Sequence, residues 1–166
     1  MKPRTIKTLL LALSFCLCTI TASAIEIGAT APDFELPTLD SKQVHLSSYK
    51  GQVIILKLAT TWCPTCKQQN EEIESAGNFL RDNNVAVVEV FLQDSDKMVR
   101  EYLQGEKYAM PHVALLDNGS ALKAYNVYLI PRTLIIDKDF KVRRDGSLMT
   151  ARELIVEVEK IVGKKP

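Results

Sequence analysis

The residues of this sequence with the most evident chemistry are two cysteines that lie three positions apart. Residues 61–67 read T-W-C-P-T-C-K, which places Cys63 and Cys66 on either side of a proline and a threonine. A pair at this spacing could bind a metal ion, form a structural disulfide, or be oxidised and reduced during a reaction. The rest of the sequence favours the third role.

The first 24 residues have the layout of a secretory signal peptide. Three basic residues among the first seven precede an apolar run over 9–20, and the small residues A-S-A occupy 22–24. The apolar run is shorter than the roughly 20 residues that a membrane-spanning helix needs, which disfavours an uncleaved anchor. We therefore expect a soluble periplasmic chain, residues 25–166, that begins at Ile25 after cleavage.

Cleavage of a signal peptide would change the count of cysteines. Cys16 and Cys18 lie in the segment that is removed, so Cys63 and Cys66 are the pair that remains. A disulfide between them closes a loop too short to add much stability through chain entropy. The two histidines of the sequence are far from the pair and from each other, which argues against a four-ligand zinc site. Reversible thiol–disulfide chemistry is the interpretation that remains.

Size and charge limit the class of protein. Removing 24 of the 166 residues leaves 142, a common size for one domain. The net charge of +1 becomes −2 once the three basic residues of the leader are gone. This balance argues against a nucleic-acid-binding protein, which would carry an excess of basic residues. We expect a monomer that needs no cofactor and no bound metal.

The sequence on each side of the cysteines predicts a strand followed by a helix. Residues 52–61 read Q-V-I-I-L-K-L-A-T-T, which is typical of a strand buried in a parallel sheet. Helix-forming residues with apolar side chains at helical spacing follow over 67–81. The cysteines therefore lie on a strand-to-helix turn, and Pro64 suits the first turn of that helix, where its missing N–H does no harm.

This position predicts different roles for the two thiols. A helix N-terminus stabilises the thiolate, which is the reactive form of cysteine, through its free N–H groups and dipole. We expect Cys63 to be the exposed nucleophile that attacks a substrate disulfide. Cys66, one turn further along, is expected to be more buried and to resolve the resulting mixed disulfide.

The remaining elements alternate as in an α/β domain. We predict strands over 85–92 and 112–116, helices over 98–103, 120–125 and 151–162, an antiparallel hairpin of 133–137 with 141–144, and a small N-terminal hairpin of 34–36 with 43–46. A C-x-x-C pair beside a strand–helix–strand pattern is a signature of thioredoxin-like redox proteins.

Three stretches together carry a resemblance to a known family. They are I-G-A-T-A-P-D-F-E-L over 27–36, W-C-P-T-C over 62–66, and A-Y-N-V-Y-L-I-P-R-T-L-I-I-D-K-D over 124–139. The chain resembles, over nearly all of residues 25–166, the exported thioredoxin-like proteins of the TlpA, ResA and CcmG (DsbE) group. The resemblance implies a central mixed β-sheet flanked by helices, with an N-terminal β-hairpin extension. It also implies a cis peptide bond before Pro131, facing the cysteines.

The same resemblance implies a function. Members of this group are periplasmic thiol–disulfide oxidoreductases that usually act as reductants, with electrons supplied by a membrane thiol transporter of the DsbD or CcdA type. Their substrates are disulfide-containing periplasmic proteins, among them apocytochrome c. On this basis we expect a substrate groove and tuning residues around the pair, comprising Trp62, Pro64, Thr65, Pro131, Arg132, Glu89 and Lys57.

The sequence departs from the group at three of its positions. Lys57 occupies the strand position where thioredoxin has a buried acid, and Gln69 stands where ResA-like proteins place an active-site glutamate. Arg132 follows the proline, where threonine or glutamate is more usual. Arg132 could stabilise a thiolate, bind an acidic substrate, or be merely exposed.

Four further side chains bear on the site, and two of them, Glu89 and Trp62, leave alternatives open. Glu89 interrupts an apolar strand, so it could be a buried proton acceptor, a partner of Lys57, or an outward-pointing residue at a strand edge. Trp62 could shield the cysteines or serve as a packing aromatic. Tyr125 and Tyr128 are expected to be packing residues.

Two rival functions also fit part of the pattern. A thiol peroxidase would use a threonine three residues before its cysteine, as Thr60 precedes Cys63, and the C-P-T that follows matches the start of a peroxiredoxin motif. However, the proline expected ahead of that threonine is absent, Cys66 replaces a glutamate, and no later cysteine could act as a resolving thiol. A soft-metal chaperone would instead use both cysteines as ligands.

Overall fold

The computed structural model describes residues 25–105 and 111–163. The predicted signal peptide lies outside the described residues, so it stays a prediction, as does the start of the mature chain at Ile25. Within these two ranges no helix is both long enough and apolar enough to cross a membrane.

The described elements alternate between strands and helices, as predicted. The strands are β1 Glu35–Pro37, β2 Gln43–His45, β3 Ile54–Ala59, β4 Ala86–Phe91, β5 His112–Leu116, β6 Arg132–Ile136 and β7 Val142–Gly146. The helices are α1 Pro64–Ser75, α2 Gly77–Asp82, α3 Asp96–Gly105, α4 Ser120–Ala124 and α5 Ala151–Val162, and a short 3-10 turn covers Leu46–Tyr49. Most of the predicted elements are present with ends shifted by at most two residues.

The central sheet is mixed and has β3 at its middle. Its strand order is β5-β4-β3-β6-β7. Strands β3, β4 and β5 run parallel, whereas β6 is antiparallel to β3 and β7 is antiparallel to β6. The expected fold, a thioredoxin-like domain with a central mixed sheet and flanking helices, is confirmed.

Strand β3 is buried on both faces, because the sheet carries a separate core on each side. Successive side chains of a strand point to opposite faces, so Leu56 and Leu58 join one core while Ile55 joins the other. The first core includes the N-terminal hairpin and α4, and the second is formed with α1, α2 and α5. Each such side chain that leaves water contributes about 1.5–3 kcal/mol, so β3 is a rigid base for the turn that follows it.

The N-terminal hairpin is part of this domain. Strands β1 and β2 pair antiparallel, and Leu36 is completely buried against the first core. The hydroxyl of the fully buried Tyr125 donates a hydrogen bond of 2.7 Å to the carbonyl of Pro32, and burial raises the pKa of this tyrosine. Tyr125 is therefore a packing residue, as predicted.

The helix predicted over 67–81 is divided in the structure. Helix α1 ends at Ser75, Ala76 caps it, and the same residue precedes α2, which begins at Gly77. A glycine in the interior of a helix is about 1 kcal/mol less favourable than an alanine, which explains why a continuous helix breaks at this position. The division leaves the N-terminal part of α1, which carries the cysteines, unaffected.

Candidate active site

The two cysteines lie where β3 passes into α1. Cys63 is the N-cap residue of α1, and Pro64 occupies the first helical position, as the sequence predicts. The pair forms a disulfide with a Cα–Cα distance of 5.2 Å. The turn is fixed by Thr61, whose backbone N–H and hydroxyl both donate to the carboxylate of Asp94, at 2.8 and 2.9 Å.

The sulfur of Cys63 faces the N–H groups of the first helical turn. It accepts a hydrogen bond of 3.2 Å from the backbone N–H of Cys66. A helix N-terminus favours negative charge at this position, so the same contact would stabilise the Cys63 thiolate after reduction. Cys63 is 8% exposed and Cys66 is 1% exposed, so Cys66 is the more buried of the two, as predicted. The expectation that Cys63 is exposed is wrong for the disulfide state, in which both sulfurs are covered.

The residues beside the pair form its outer surface. Pro64 and Thr65 are exposed. Trp62 is 64% exposed, so its interpretation as a packing aromatic is wrong, and a shielding role stays a prediction. Tyr128 is 77% exposed, so the expectation that it is a packing residue is also wrong. Both positions are loop residues, whose burial depends on distant elements.

The loop before β6 approaches the cysteines from the other side. The Ile130–Pro131 peptide bond is cis, as the family resemblance implies. Ile130 packs against the small cluster formed by Ala59, Cys63 and Cys66. This contact brings a segment far away in sequence to the reactive pair.

Arg132 is held in an ion pair rather than merely exposed. Its Nε and Nη2 atoms donate to the two carboxylate oxygens of Asp145, at 3.0 and 2.5 Å, and Nη1 donates to the carbonyl oxygen of Tyr125. The side chains of Arg132 and Asp145 are only 14% and 19% exposed. The interpretation of Arg132 as merely exposed is therefore wrong, because strand β7 supplies a carboxylate that the sequence pattern does not reveal. Stabilisation of a thiolate and binding of an acidic substrate stay predictions.

Lys57 and Glu89 form a buried ion pair beneath the cysteine turn. They are direct partners on the neighbouring strands β3 and β4, with 2.5 Å between Nζ and Oε1, and their side chains are 1% and 2% exposed. Of the three interpretations of Glu89, pairing with Lys57 is confirmed and the exposed strand-edge position is wrong. Lys57 and Ala59 point to the same face of β3, so the pair lies next to the residue of β3 that clusters with the cysteines.

Helix α1 completes this buried polar layer. Lys57 also donates to the side-chain oxygen of Asn70, whose NH2 group donates to the hydroxyl of Tyr102 at 2.8 Å. Sequence reasoning missed Asn70. Its position four residues after Cys66 was an available signal, because residues at that spacing share one face of a helix.

Gln69 connects α1 to the segment before α5. The fully buried amide accepts the Met149 backbone N–H at 2.7 Å and donates to the Met149 carbonyl at 3.0 Å. The hydroxyl of Thr133 donates to the same amide oxygen at 3.3 Å. Gln69 thus holds backbone in place where ResA-like proteins are expected to carry an acid.

His112 at the start of β5 is a further titratable group of this region that the sequence did not predict. It is partly buried, and this burial lowers its pKa below the ordinary value of 6.5. The nearby carboxylates of Glu89 and Glu74 oppose that shift, and the charge of Lys57 adds to it.

The described residues contain no group of three or more His, Cys, Asp or Glu side chains that could hold a metal ion.

Comparisons with known proteins agree with this geometry. Residues 27–145 match the model of the AhpC/TSA family. The thioredoxin-like protein YneN of Bacillus subtilis is 31% identical over 116 residues, which cover 69% of this chain and 67% of that protein. The thiol-disulfide oxidoreductase ResA of Bacillus thuringiensis subsp. konkukian is 28% identical over 118 residues, 71% of this chain and 68% of that one.

Solved structures support the fold. A thiol:disulfide interchange protein of the thioredoxin family from Chlorobium tepidum has a TM-score of 0.70 at 20% identity, over 84% of this chain and all of that one. StoA from Bacillus subtilis has a TM-score of 0.65 at 24% identity, over 79% of this chain and 99% of that one.

The buried ion pair generates a prediction about stability. Replacing Glu89 with leucine leaves the Lys57 charge without its carboxylate, so we expect the free energy of unfolding to fall by about 3–5 kcal/mol. The double variant Lys57→Met/Glu89→Leu removes both charges and should recover most of that loss. Urea denaturation of Glu89→Leu, Lys57→Met and the double variant measures these free energies. If the loss in the double variant equals the sum of the losses in the two single variants, the prediction is contradicted.

The lowered pKa of His112 predicts a loss of stability in acid. Below 6.5 the unfolded chain binds a proton at this histidine that the folded chain does not bind, so stability falls as the pH is lowered towards the folded pKa. Replacing His112 with glutamine should therefore flatten the change in unfolding free energy between about pH 7.5 and pH 5. His45→Gln, at a half-exposed position, is the control. An unchanged slope in the His112 variant would refute the assignment.

Proposed function

The chain belongs to the AhpC/TSA family and is a thiol–disulfide oxidoreductase, and from this premise we propose that it reduces protein disulfides outside the cytoplasm. The observation that carries the proposal is the position of Cys63, whose sulfur lies at the N-terminus of α1 and bonds to the N–H of its partner Cys66. One sulfur is thus prepared for attack, and the second lies within bonding distance for release.

The reaction transfers two electrons from the dithiol to the substrate. The Cys63 thiolate attacks one sulfur of a substrate disulfide, which forms a mixed disulfide and releases the other substrate sulfur as a thiolate that takes up a proton. Cys66 then loses its proton and attacks the Cys63 sulfur. The second substrate thiolate leaves, and the protein is left with the Cys63–Cys66 disulfide.

The proposal extends to compartment, electron donor and substrates. The leader-like residues 1–24 favour export to the periplasm. The oxidised pair must be reduced again by another dithiol, and a membrane thiol transporter of the DsbD or CcdA type is the donor that the family resemblance suggests. Disulfide-containing periplasmic proteins are the proposed substrates, with apocytochrome c, and hence cytochrome c maturation, among them.

The environment of the Thr60 hydroxyl argues against the peroxidase alternative. A threonine three residues before the reactive cysteine would be expected to bond to its sulfur, yet the buried Oγ1 of Thr60 has no hydrogen-bond partner among the described residues. The resolving thiol lies one helical turn away at Cys66, which is the arrangement of a dithiol oxidoreductase. A soft-metal chaperone would need both cysteines as free thiols to bind the metal, whereas here they form a disulfide with each other.

The different roles of the two thiols predict different reactivity. In reduced protein the Cys66→Ala variant, which keeps Cys63, should react with iodoacetamide at neutral pH about tenfold faster than Cys63→Ala, because Cys63 is both more accessible and better placed to be a thiolate. Alkylation rates followed by mass spectrometry across a range of pH test this. Equal rates for the two variants would overturn the assignment of roles.

The mixed-disulfide intermediate predicts which variant traps substrates. The Cys66→Ala protein cannot resolve the intermediate, so covalent complexes should accumulate in cells and disappear on reduction. The matched Cys63→Ala variant should trap few complexes, because the attacking sulfur is gone. Identification of the trapped proteins by mass spectrometry tests the proposed substrates. If Cys66→Ala captures nothing while the unaltered protein consumes hydrogen peroxide, the peroxidase function is correct instead.

A further inference from the structure

Beyond the reactive pair, the best-defined feature of the site is the loop 126–131, which runs between α4 and β6. Near its end, Ile130 packs against the cluster of Ala59, Cys63 and Cys66. Its outer part carries Tyr128 and Leu129, which are 77% and 81% exposed. Two large apolar side chains at such exposure next to a reactive disulfide indicate a surface that is completed by a substrate.

One side chain fastens this loop at both of its ends. Arg132 directly follows the loop, and its Nη1 reaches back to the carbonyl oxygens of Tyr125 and of Asn126, the latter at 3.5 Å. Its Nε and Nη2 atoms each donate to Asp145 on β7 in a bidentate pair, a geometry that fixes the plane of a guanidinium. The start of the loop, its end and strand β7 are thereby joined through one group.

The same pair lines an open cavity of about 340 Å³ beside the loop. Tyr128, Leu129 and Pro131 of the loop line it as well, together with Gly146 and Ser147. Arg132 and Asp145 are the two charged residues of this lining, and they are paired with each other. An uncharged, apolar side chain therefore suits this cavity better than an acidic or basic one.

We propose that Arg132 and Asp145 are positioning residues that hold loop 126–131 against the cysteine pair, and that the cavity beside this loop binds an apolar side chain next to the cysteine of a polypeptide substrate. The inference rests on the proposed function and names the class of substrate for the same site. Neither residue takes part in the exchange of electrons. They act by fixing where the substrate segment lies relative to Cys63.

The test compares three disulfides as substrates of the full-chain protein in its reduced form. Two are short disulfide-linked peptides whose cysteine is flanked on both sides by leucine or by serine, and the third is bis(2-hydroxyethyl) disulfide, which is too small to reach the cavity. Single-turnover rates over a range of concentrations give a half-saturation concentration and a limiting rate for each. We expect the unaltered protein to prefer the leucine peptide over the serine peptide by about tenfold.

For Asp145→Ala we compare the second-order rate constant for the leucine peptide with that for the small disulfide, and we expect this ratio to fall about tenfold. The fall should come from a higher half-saturation concentration for the leucine peptide, with its limiting rate unchanged. Arg132→Lys should behave in the same way, because an ammonium cannot make the bidentate pair and the carbonyl contacts together. Arg143→Met is the matched control. It breaks another ion pair of the same hairpin, Arg143–Asp137 at 2.5 Å, and should leave the ratio unchanged.

If the Asp145 variant folds poorly, Leu129→Ser provides a second test. Leu129 is on the surface, so its replacement should not disturb folding. It should abolish most of the preference for leucine over serine. Equal losses for the peptide and the small disulfide in Asp145→Ala, or an unchanged preference in Leu129→Ser, would overturn the proposal while leaving the proposed function intact. If the unaltered protein reduces none of the three disulfides, the proposed function fails and the proposal fails with it.

Discussion

The buried ion pair between Lys57 and Glu89 constrains how the centre of this protein is built. Two charges removed from water must be close together and further hydrogen-bonded, and here the register of β3 and β4 makes the two residues direct partners. Asn70 of α1 supplies the additional acceptor. Since Asn70 lies about one turn after Cys66, satisfying the lysine also sets the rotation of α1 about its axis, and with it the direction of the cysteines.

The hydrogen bond at the reactive sulfur comes from the backbone, and the two basic side chains expected to tune the site are paired with carboxylates elsewhere. Lys57 is bound to Glu89, and Arg132 is bound to Asp145. What faces Cys63 is the N–H of Cys66, in the first turn of α1. A backbone contact of this kind stabilises a thiolate at Cys63 without requiring a charged side chain beside it.

Much of the fold and the core of the site could be predicted from the sequence. The alternation of buried strands and amphipathic helices, the strand-to-helix turn at Cys63 and the cis bond before Pro131 are all present as expected. The roles of Arg132 and Gln69 could not be predicted, because each is decided by a partner on a distant element. Asp145 lies 13 residues from Arg132, and Met149 lies 80 residues from Gln69.

The sequence by itself therefore determined the order of elements, the reactive pair and the likeness to a family, because these depend on residue types and on spacings along the chain. Only the tertiary structure decided which buried polar groups meet. Whether Glu89 was a free acid or the partner of a lysine 32 residues away depends on strand order and register. Register places two side chains in contact by pairing backbones across the sheet, and no local periodicity along one strand contains that information.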